Sequence, residues 1–279
     1  MGALTQYLSA WDGLPLFVRE WNDGDAGPPL LCLPGLVRTG GDFAHIAPTI
    51  GAGRRIVTLD YPGRGDSGWS RSLARHSAEA CVRDVMDVCA ALHLHGAVAI
   101  GTSFGGLLTM GLAAARPTLL QGVVLNDIGP EIGPGGRDFV RRFVGHDPNL
   151  ESLEACVTWL RARLPPMSLT TEEEWREMAA LTYRQGADGR FHPLWDIRIA
   201  RTIDLPTPDL WPLFGALDHL PLLLIRGGVS EILLPATVER MRRCRPDMQI
   251  VTVEHVGHAP SLTEPETISA VCQFLAQFE

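Results

Sequence analysis

The sequence predicts an α/β fold in which a mostly parallel sheet is covered by helices on both faces. Two observations predict it. Short apolar runs, several of them rich in β-branched residues, alternate with helix-forming stretches, and Gly- and Pro-rich loops separate them. The 279 residues and a hydrophobic fraction of 46% are also enough for a sizeable core.

The individual elements are predicted from alternation, apolar runs and turn residues. The hairpin at the start is indicated by alternating side chains on either side of Asp12-Gly13-Leu14-Pro15, and later strands by compact apolar runs. The eight predicted strands cover residues 5–11, 16–21, 30–33, 55–60, 97–100, 122–127, 220–225 and 249–253. The predicted helices cover residues 43–50, 78–94, 107–115, 150–164, 171–185, 236–244 and 264–278.

The alternation of strands and helices stops after the sixth predicted strand. We therefore predict an α/β core over residues 1–131 and 213–279 and a helical cap, without a convincing buried strand, over residues 132–212. An insertion that leaves a sheet at the carboxyl end of a strand is placed to roof the cleft there. Trp159 and Trp195 of this insertion are expected to line a substrate pocket, the alternative being that they pack its own small core.

Composition and motif spacing argue against several classes of partner. The net charge of −8 disfavours nucleic acid as a partner. The sequence contains neither a stretch of 18 apolar residues nor a basic leader segment, so it does not favour a membrane as a partner. The six cysteines show no Cys-x-x-Cys spacing, His93 and His95 have no third metal ligand in view, and no dinucleotide fingerprint occurs. We expect a cytoplasmic protein with a small-molecule substrate, no metal and no cofactor, acting as a monomer or homodimer.

The segment Gly101-Thr102-Ser103-Phe104-Gly105 matches G-x-S-x-G and lies between a predicted strand and a predicted helix. A serine hydroxyl is an effective nucleophile when a sharp turn between small residues projects it into a cleft beside a base. The helix start that follows would aim the backbone N–H of Phe104 at an oxyanion. The segment therefore predicts Ser103 as a nucleophile, although the same residues could merely close a strand.

A candidate base follows the last predicted strand. His258 lies in Val256-Gly257-His258-Ala259-Pro260, on the loop before the final helix. In open α/β sheets the functional groups gather at the carboxyl ends of the strands, and an imidazole titrates near neutral pH. His258 is therefore predicted to exchange a proton with Ser103.

At this point the chain resembles the α/β-hydrolase fold family over nearly its whole length. The segments that carry the resemblance are residues 33–36, 60–67, 101–105 and 257–258, together with the helical insertion. The resemblance implies that Ser103 is the nucleophile, that His258 is the general base, and that the oxyanion is bound by the N–H groups of Leu36 and Phe104. Many members carry His-Gly where this chain has Pro34-Gly35, but the donor one residue later should be kept.

The third member of the triad is left open between two carboxylates. The family usually places the acid on the loop after the strand 220–225, where this chain offers Glu231. Some members place it on the strand after the nucleophile helix, where Asp127-Ile128-Gly129-Pro130 resembles their Asp-x-x-Pro. We favour Asp127. Arg38 and His45, just past the oxyanion loop, are candidates for contact with substrate.

The resemblance implies a serine hydrolase that cleaves an ester, lactone or thioester, or less readily an amide, of a small to medium organic molecule. Serine at the elbow, where dehalogenases and epoxide hydrolases of similar fold carry aspartate, disfavours those two reactions. Carbon–carbon bond hydrolysis of ring-cleavage products, cofactor-free oxygenation and acyl transfer to an alcohol remain alternatives. So does a small-molecule receptor with a vestigial triad.

Overall fold

A computed structural model of the chain describes residues 2–51, 53–205 and 208–278, and its secondary structure in these ranges is as follows. The strands are β1 (Leu4–Ser9), β2 (Pro15–Asp25), β3 (Leu30–Leu33), β4 (Arg54–Leu59), β5 (Ala97–Thr102), β6 (Leu120–Asn126), β7 (Tyr183–Gln185), β8 (Phe191–Pro193), β9 (Leu222–Gly227) and β10 (Gln249–Val253). The α-helices are α1 (Ala47–Ile50), α2 (Ala78–Ala91), α3 (Phe104–Ala115), α4 (Pro134–Val144), α5 (Leu153–Arg161), α6 (Glu172–Ala180), α7 (Ala200–Ile203), α8 (Trp211–Gly215), α9 (Pro235–Cys244) and α10 (Pro265–Leu275). Single 3-10 turns lie at Gly40–Phe43, Leu73–His76, Ile197–Ile199 and Ala276–Phe278. Among the helices in these ranges, none has the length and hydropathy needed to cross a bilayer.

The main sheet of the described residues has eight strands in the order β1-β2-β4-β3-β5-β6-β9-β10. β1 pairs antiparallel with β2, and β2 pairs antiparallel with β4, while the remaining neighbours are parallel. This confirms the predicted mostly parallel eight-stranded sheet. β5 lies near the middle, so the loop that follows it is flanked by the ends of β3 and β6, where several loops converge.

Hydrophobic packing covers both faces of the sheet. Because neighbouring residues of a strand point to opposite faces, β3 contributes Leu31 to one apolar cluster and Leu30 to the other. The first cluster includes side chains of α2, α3, α8 and α9, and the second includes side chains of α10 and the 3-10 turn Gly40–Phe43. Each large buried aliphatic side chain contributes about 1.5–3 kcal/mol. The sheet is therefore a stable platform for the loops at its carboxyl edge.

The chain between β6 and β9 holds α4 to α8, and its buried apolar side chains between Val144 and Ile199 form a third cluster. The prediction of a helix over 171–185 was wrong at its end, because α6 stops at Ala180 and the chain continues into β7. β7 and β8 form a short antiparallel hairpin, so the segment also contains strands that the sequence pattern did not predict. Gly189, with a φ of +78°, lies in the turn and allows it to reverse tightly. Residues 206 and 207 of the predicted insertion lie outside the described residues.

Several helices are shorter than predicted, and for two of them the structure shows a local reason. The helix expected over 150–164 begins at Leu153, because the Ser152 hydroxyl accepts a hydrogen bond from Ala155 N–H and caps it. The helix expected over 43–50 is divided into the 3-10 turn Gly40–Phe43 and the single turn of α1.

Candidate active site

Ser103 occupies a sharp turn between β5 and α3. Its φ and ψ are 53° and −116°, a backbone conformation that L-residues rarely adopt. The turn lies so close to its neighbours that a β-carbon at Gly105 would stand 2.0 Å from the Leu33 carbonyl oxygen, and one at Gly101 would stand 2.6 Å from Gly106 Cα. Only glycine fits at these two positions. The close packing holds the strained turn in place and directs the Ser103 hydroxyl into a cavity.

Ser103, His258 and Asp127 form a continuous chain of hydrogen bonds. His258 Nε2 lies 2.7 Å from Ser103 Oγ, and His258 Nδ1 lies 2.7 Å from Asp127 Oδ2. The parallel register aligns Thr102 at the end of β5 with Asn126 at the end of β6, so Ser103 and Asp127 leave the sheet side by side. The arrangement can transfer the serine proton to an imidazole whose tautomer is fixed by a carboxylate.

The Asp127 carboxylate is fully buried and is held from two sides. Its Oδ1 accepts the backbone N–H of Gly227 at 2.8 Å, and its Oδ2 accepts the Ser230 hydroxyl at 2.5 Å as well as the His258 ring. A buried carboxylate needs such donors to offset the loss of water. They also fix the orientation of the oxygen that faces His258. The sequence analysis missed Ser230, although it is a hydroxyl residue on the loop where the family usually carries its acid.

Glu231, the other candidate acid, lies elsewhere. It is exposed, and within the described part of the chain no hydrogen bond or ion pair joins its carboxylate to His258. Its side chain lies beside the start of α4, where Oε2 stands 3.4 Å from the position that a β-carbon of Gly135 would take. Of the two carboxylates, the structure brings Asp127 to the histidine.

The two expected oxyanion donors belong to segments next to Ser103. Phe104 is the first residue of α3, so its N–H has no acceptor within the helix. Leu36 lies on the loop after β3 and lines the same cavity as Ser103. Among the hydrogen bonds of residues 2–51, 53–205 and 208–278, neither N–H is used as a donor. Both groups are therefore free to bind a negatively charged oxygen.

The loop that carries Leu36 is fixed by two residues to which the sequence analysis gave no role. Tyr61 donates its hydroxyl to the Pro34 carbonyl at 3.1 Å, and Arg64 donates Nε–H to the Leu36 carbonyl at 2.9 Å. The Arg64 guanidinium is buried about 5.7 Å from the ring centre of Tyr61 and 5.8 Å from that of Phe104, and this burial lowers its pKa. These contacts anchor the loop on both sides of the Gly35–Leu36 peptide, through the Pro34 and Leu36 carbonyls.

Ser103 and His258 open onto a cavity of about 310 Å³. The walls come from the loop after β3, from the segment between β6 and β9, and from the loop after His258. Most of the lining is apolar, and the aliphatic and aromatic side chains include Val37, Phe43, Ile46, Phe139, Val140, Phe143, Val144, Leu160, Leu164, Met167, Leu169, Met178, Leu181 and Leu262. Arg38 and His45 also line it, and their contact with a substrate stays a prediction. Such a cavity suits an apolar group of modest size.

The expectation that Trp159 and Trp195 line this cavity was wrong. Trp195 is buried in the third apolar cluster, where its indole N–H donates to the Val144 carbonyl at 2.9 Å. Trp159 stacks on His146 and lies under the Arg163 guanidinium, away from the cavity wall. A small helical insertion has few large side chains, and a tryptophan contributes the most buried area to its core. Packing within the insertion therefore takes precedence over contact with a substrate.

The loop that carries His258 is held by the insertion as well as by the core. The Gly257 N–H donates to the Pro166 carbonyl at 2.7 Å. The buried Glu264 carboxylate accepts hydrogen bonds from the Ser168 hydroxyl, the Ser261 N–H and the Thr267 hydroxyl. Burial alone raises the pKa of Glu264, but these donors outweigh it and hold the pKa below its ordinary value.

Replacing Glu264 with glutamine is expected to lower the free energy of unfolding by about 2 kcal/mol at pH 7, because the hydrogen bonds lose their charged acceptor. A carboxyl group whose pKa is lowered by folding stabilises the protein above its unfolded pKa, 4.5 for glutamate, and that contribution is lost as the pH falls through the folded-state pKa. The difference between wild type and variant should therefore shrink at about pH 3. Urea unfolding of wild type and variant at both pH values measures this difference in the free energy of unfolding.

Glu266→Gln provides a matched control, since Glu266 is an exposed glutamate near the start of the same helix. It should change the free energy of unfolding by less than about 0.5 kcal/mol at either pH. A Glu264→Gln deficit of equal size at both pH values would show that the charge of Glu264 is not what stabilises the loop.

Comparison with known proteins agrees with this architecture. A family model described as "Alpha/beta hydrolase family" matches residues 30–271. The chain is 32% identical over 267 residues to the 3-hydroxybutyrate-oligomer hydrolase of Cupriavidus necator, covering 92% of this chain and 91% of that protein. It is 29% identical over 265 residues to the sn-1-specific diacylglycerol lipase ABHD11 of Mus musculus, covering 91% and 83%.

A solved structure is similar over almost its whole length. The crystal structure of an alpha/beta hydrolase from Novosphingobium aromaticivorans superposes with a TM-score of 0.93 at 35% sequence identity, covering 99% of each chain. The relatives are named as hydrolases, and the matched region includes Ser103, Asp127 and His258. The chain therefore belongs to the alpha/beta hydrolase family.

Proposed function

We propose that the protein is a serine hydrolase that cleaves a carboxylic ester, lactone or thioester bond of a substrate with an apolar acyl group. The observation that carries the proposal is the hydrogen-bonded chain from Ser103 through His258 to Asp127, with the serine hydroxyl opening onto an apolar cavity. Residues 132–212 would act as a cap on the core formed by residues 1–131 and 213–279.

In the proposed reaction, His258 Nε2 takes the proton of Ser103 Oγ as that oxygen attacks the substrate carbonyl. Asp127 holds Nδ1–H toward itself and stabilises the imidazolium that forms. The N–H groups of Leu36 and Phe104 bind the oxyanion of the tetrahedral intermediate. His258 then gives its proton to the leaving alcohol or thiol, and the acyl group remains on Ser103.

The second half of the reaction repeats these steps with water. His258 removes a proton from a water molecule that attacks the acyl-enzyme, the oxyanion forms again between Leu36 and Phe104, and collapse returns the proton to Ser103. No redox partner or metal is needed for any step. The names of the two curated relatives, an oligomer hydrolase of 3-hydroxybutyrate and a diacylglycerol lipase, support an ester bond as the target.

The cavity volume sets the size of the acyl group. About 310 Å³ corresponds to roughly ten heavy atoms at about 30 Å³ each, the volume share of a water molecule in the liquid. Acyl chains of about four to eight carbons should therefore fill the cavity while keeping the carbonyl at Ser103. Shorter chains leave apolar surface uncovered, and much longer chains must leave through the mouth.

A panel of 4-nitrophenyl esters from acetate to palmitate tests the proposal, together with a fluorophosphonate probe. We expect the highest kcat/KM at about C4 to C8 and a loss of at least about tenfold at C16, because a chain too long for the cavity cannot be accommodated while its carbonyl stays at Ser103. Mass spectrometry should locate the probe on Ser103 at one equivalent per chain. Folded protein that neither reacts with the probe nor turns over any ester would instead fit the receptor alternative.

A further inference from the structure

The ionisable side chains of the cavity lining carry more negative than positive charge. Outside the histidines His45 and His258, the lining includes one cation, Arg38, and three carboxylates, Asp42, Glu174 and Glu177. We propose that this arrangement makes the site selective for substrates whose acyl group carries no negative charge, and that Asp42 is the specificity-determining residue. The proposal rests on the ester hydrolysis proposed above.

Arg38 lies close to the reacting serine. A β-carbon at Gly35 would stand 3.3 Å from Arg38 Cγ and 3.9 Å from Ser103 Cβ, so the arginine stem and the nucleophile flank the same glycine. A guanidinium in this position would ordinarily attract a carboxylate on the substrate. Whether the Arg38 guanidinium attracts a substrate carboxylate depends on whether a protein carboxylate already neutralises its charge.

Asp42 compensates that charge. Arg38 Nε donates to Asp42 Oδ2 at 2.8 Å, and Nη2 donates to Asp42 Oδ1 at 2.6 Å. The two bonds form a bidentate ion pair. The remaining terminal nitrogen, Nη1, donates to the Thr182 hydroxyl of the insertion. Each guanidinium nitrogen therefore donates one N–H to the protein, and the charge is paired with Asp42. A substrate carboxylate could reach only the second N–H of Nη1 or Nη2, and it would meet a cation that Asp42 already neutralises.

The other two carboxylates are also held by hydrogen bonds or an ion pair within the protein. Glu174 accepts the backbone N–H groups of Thr170 and Thr171 as the cap of α6. The Thr171 N–H, followed by that of Thr170, lowers the pKa of Glu174. Glu177 Oε1 lies 2.8 Å from His45 Nε2. Among the described residues of the lining, the one arginine thus faces a carboxylate, and the carboxylates outnumber it three to one.

A negatively charged acyl group therefore meets two penalties. It loses water on entering a mostly apolar cavity. The carboxylates of the lining then repel it, and the one arginine is already paired with Asp42. An uncharged chain meets neither. Selectivity built by such an unfavourable contact is a difference between two substrates, so it is measured as a ratio of kcat/KM values.

The test compares 4-nitrophenyl pentanoate with the mono-4-nitrophenyl ester of glutaric acid, which has the same number of acyl carbons and a terminal carboxylate. Wild type should prefer pentanoate by about 100-fold or more in kcat/KM at pH 7.5 and low salt. Asp42→Asn should reduce this ratio by about tenfold, because the amide keeps the shape of Asp42 but leaves the Arg38 charge uncompensated. The double variant Arg38→Gln with Asp42→Asn should return the ratio to within about threefold of wild type.

Asp218→Asn is the matched control, since Asp218 is an exposed aspartate just before β9 begins, at the opposite end of that strand from Gly227, the donor to Asp127. It should leave the ratio unchanged. Fluorophosphonate labelling of Ser103 in each variant reports an intact reacting serine. A wild-type enzyme that hydrolyses both esters equally well, or an Asp42→Asn ratio within twofold of wild type, overturns the selectivity alone. A folded wild-type protein that neither reacts with the fluorophosphonate nor hydrolyses any ester overturns the proposed function and the selectivity with it.

Discussion

Ser103→Ala is expected to lower kcat for the best 4-nitrophenyl ester by about 10⁶-fold, to the level left by the oxyanion donors and substrate binding. Alanine removes the oxygen that forms the acyl-enzyme and leaves His258 without a proton to accept. KM should change little, because the cavity walls remain in place. The rate of 4-nitrophenol release, followed over hours at high enzyme concentration, measures the residual activity.

The same substitution should leave the fold intact. Serine and alanine have a similar cost at a positive φ, and the Ser103 hydroxyl forms its side-chain hydrogen bond with His258 Nε2. Thermal unfolding should therefore occur within about 2–3 °C of wild type, as expected for a change of less than about 1 kcal/mol. A folded Ser103→Ala protein that retains even one hundredth of the wild-type kcat would exclude Ser103 as the nucleophile.

The positions of Ser103 and His258 relative to the sheet could be predicted because local sequence determines them. Gly101 and Gly105 are required by the turn itself, and they are visible in the sequence without knowledge of the tertiary structure. His258 follows the last strand, and the carboxyl ends of parallel strands share one edge. These features combine short-range patterns with a general rule of α/β sheets, so the sequence was sufficient for them.

The remaining features depend on which of several possible contacts a segment makes once the chain has folded. Whether Trp195 lines a cavity or fills a cluster depends on how α4 packs against the end of the insertion, which periodicity does not reveal. The pairing of β7 with β8 overrode the helical pattern up to Gln185, since tertiary context outweighs propensity in short segments. Asp42 was missed as well, although its spacing of four residues from Arg38 was a signal for an ion pair.

The choice of the acid shows the same limit and leads to a second large effect. Asp127 and Glu231 both follow strands of the sheet, and sequence distance does not say which side chain turns toward His258. The register of β6 between β5 and β9 decides it, because it places Asp127 beside Ser103 and against the Gly227 N–H. Asp127→Asn is therefore expected to lower kcat by about 10⁴-fold.

The reason for the loss is the tautomer of His258. An asparagine amide in the place of Asp127 Oδ2 can donate to His258 Nδ1, which then must be the unprotonated nitrogen. The proton would lie on Nε2, facing the Ser103 hydroxyl, and the imidazole could no longer act as its base. Single-turnover measurement of 4-nitrophenol release under excess enzyme should show that the acylation step itself is slowed.

Glu231→Gln supplies the comparison, because it makes the same change of carboxylate to amide on the neighbouring loop. Glu231 is exposed and has no described contact with His258, so kcat should stay within about twofold of wild type. Thermal unfolding of both variants separates a loss of catalysis from a loss of folding, since Asp127 is buried and also binds Ser230. A larger loss of kcat in folded Glu231→Gln than in folded Asp127→Asn would transfer the role of the acid to Glu231, and the observed hydrogen bond between Asp127 and His258 would then be structural.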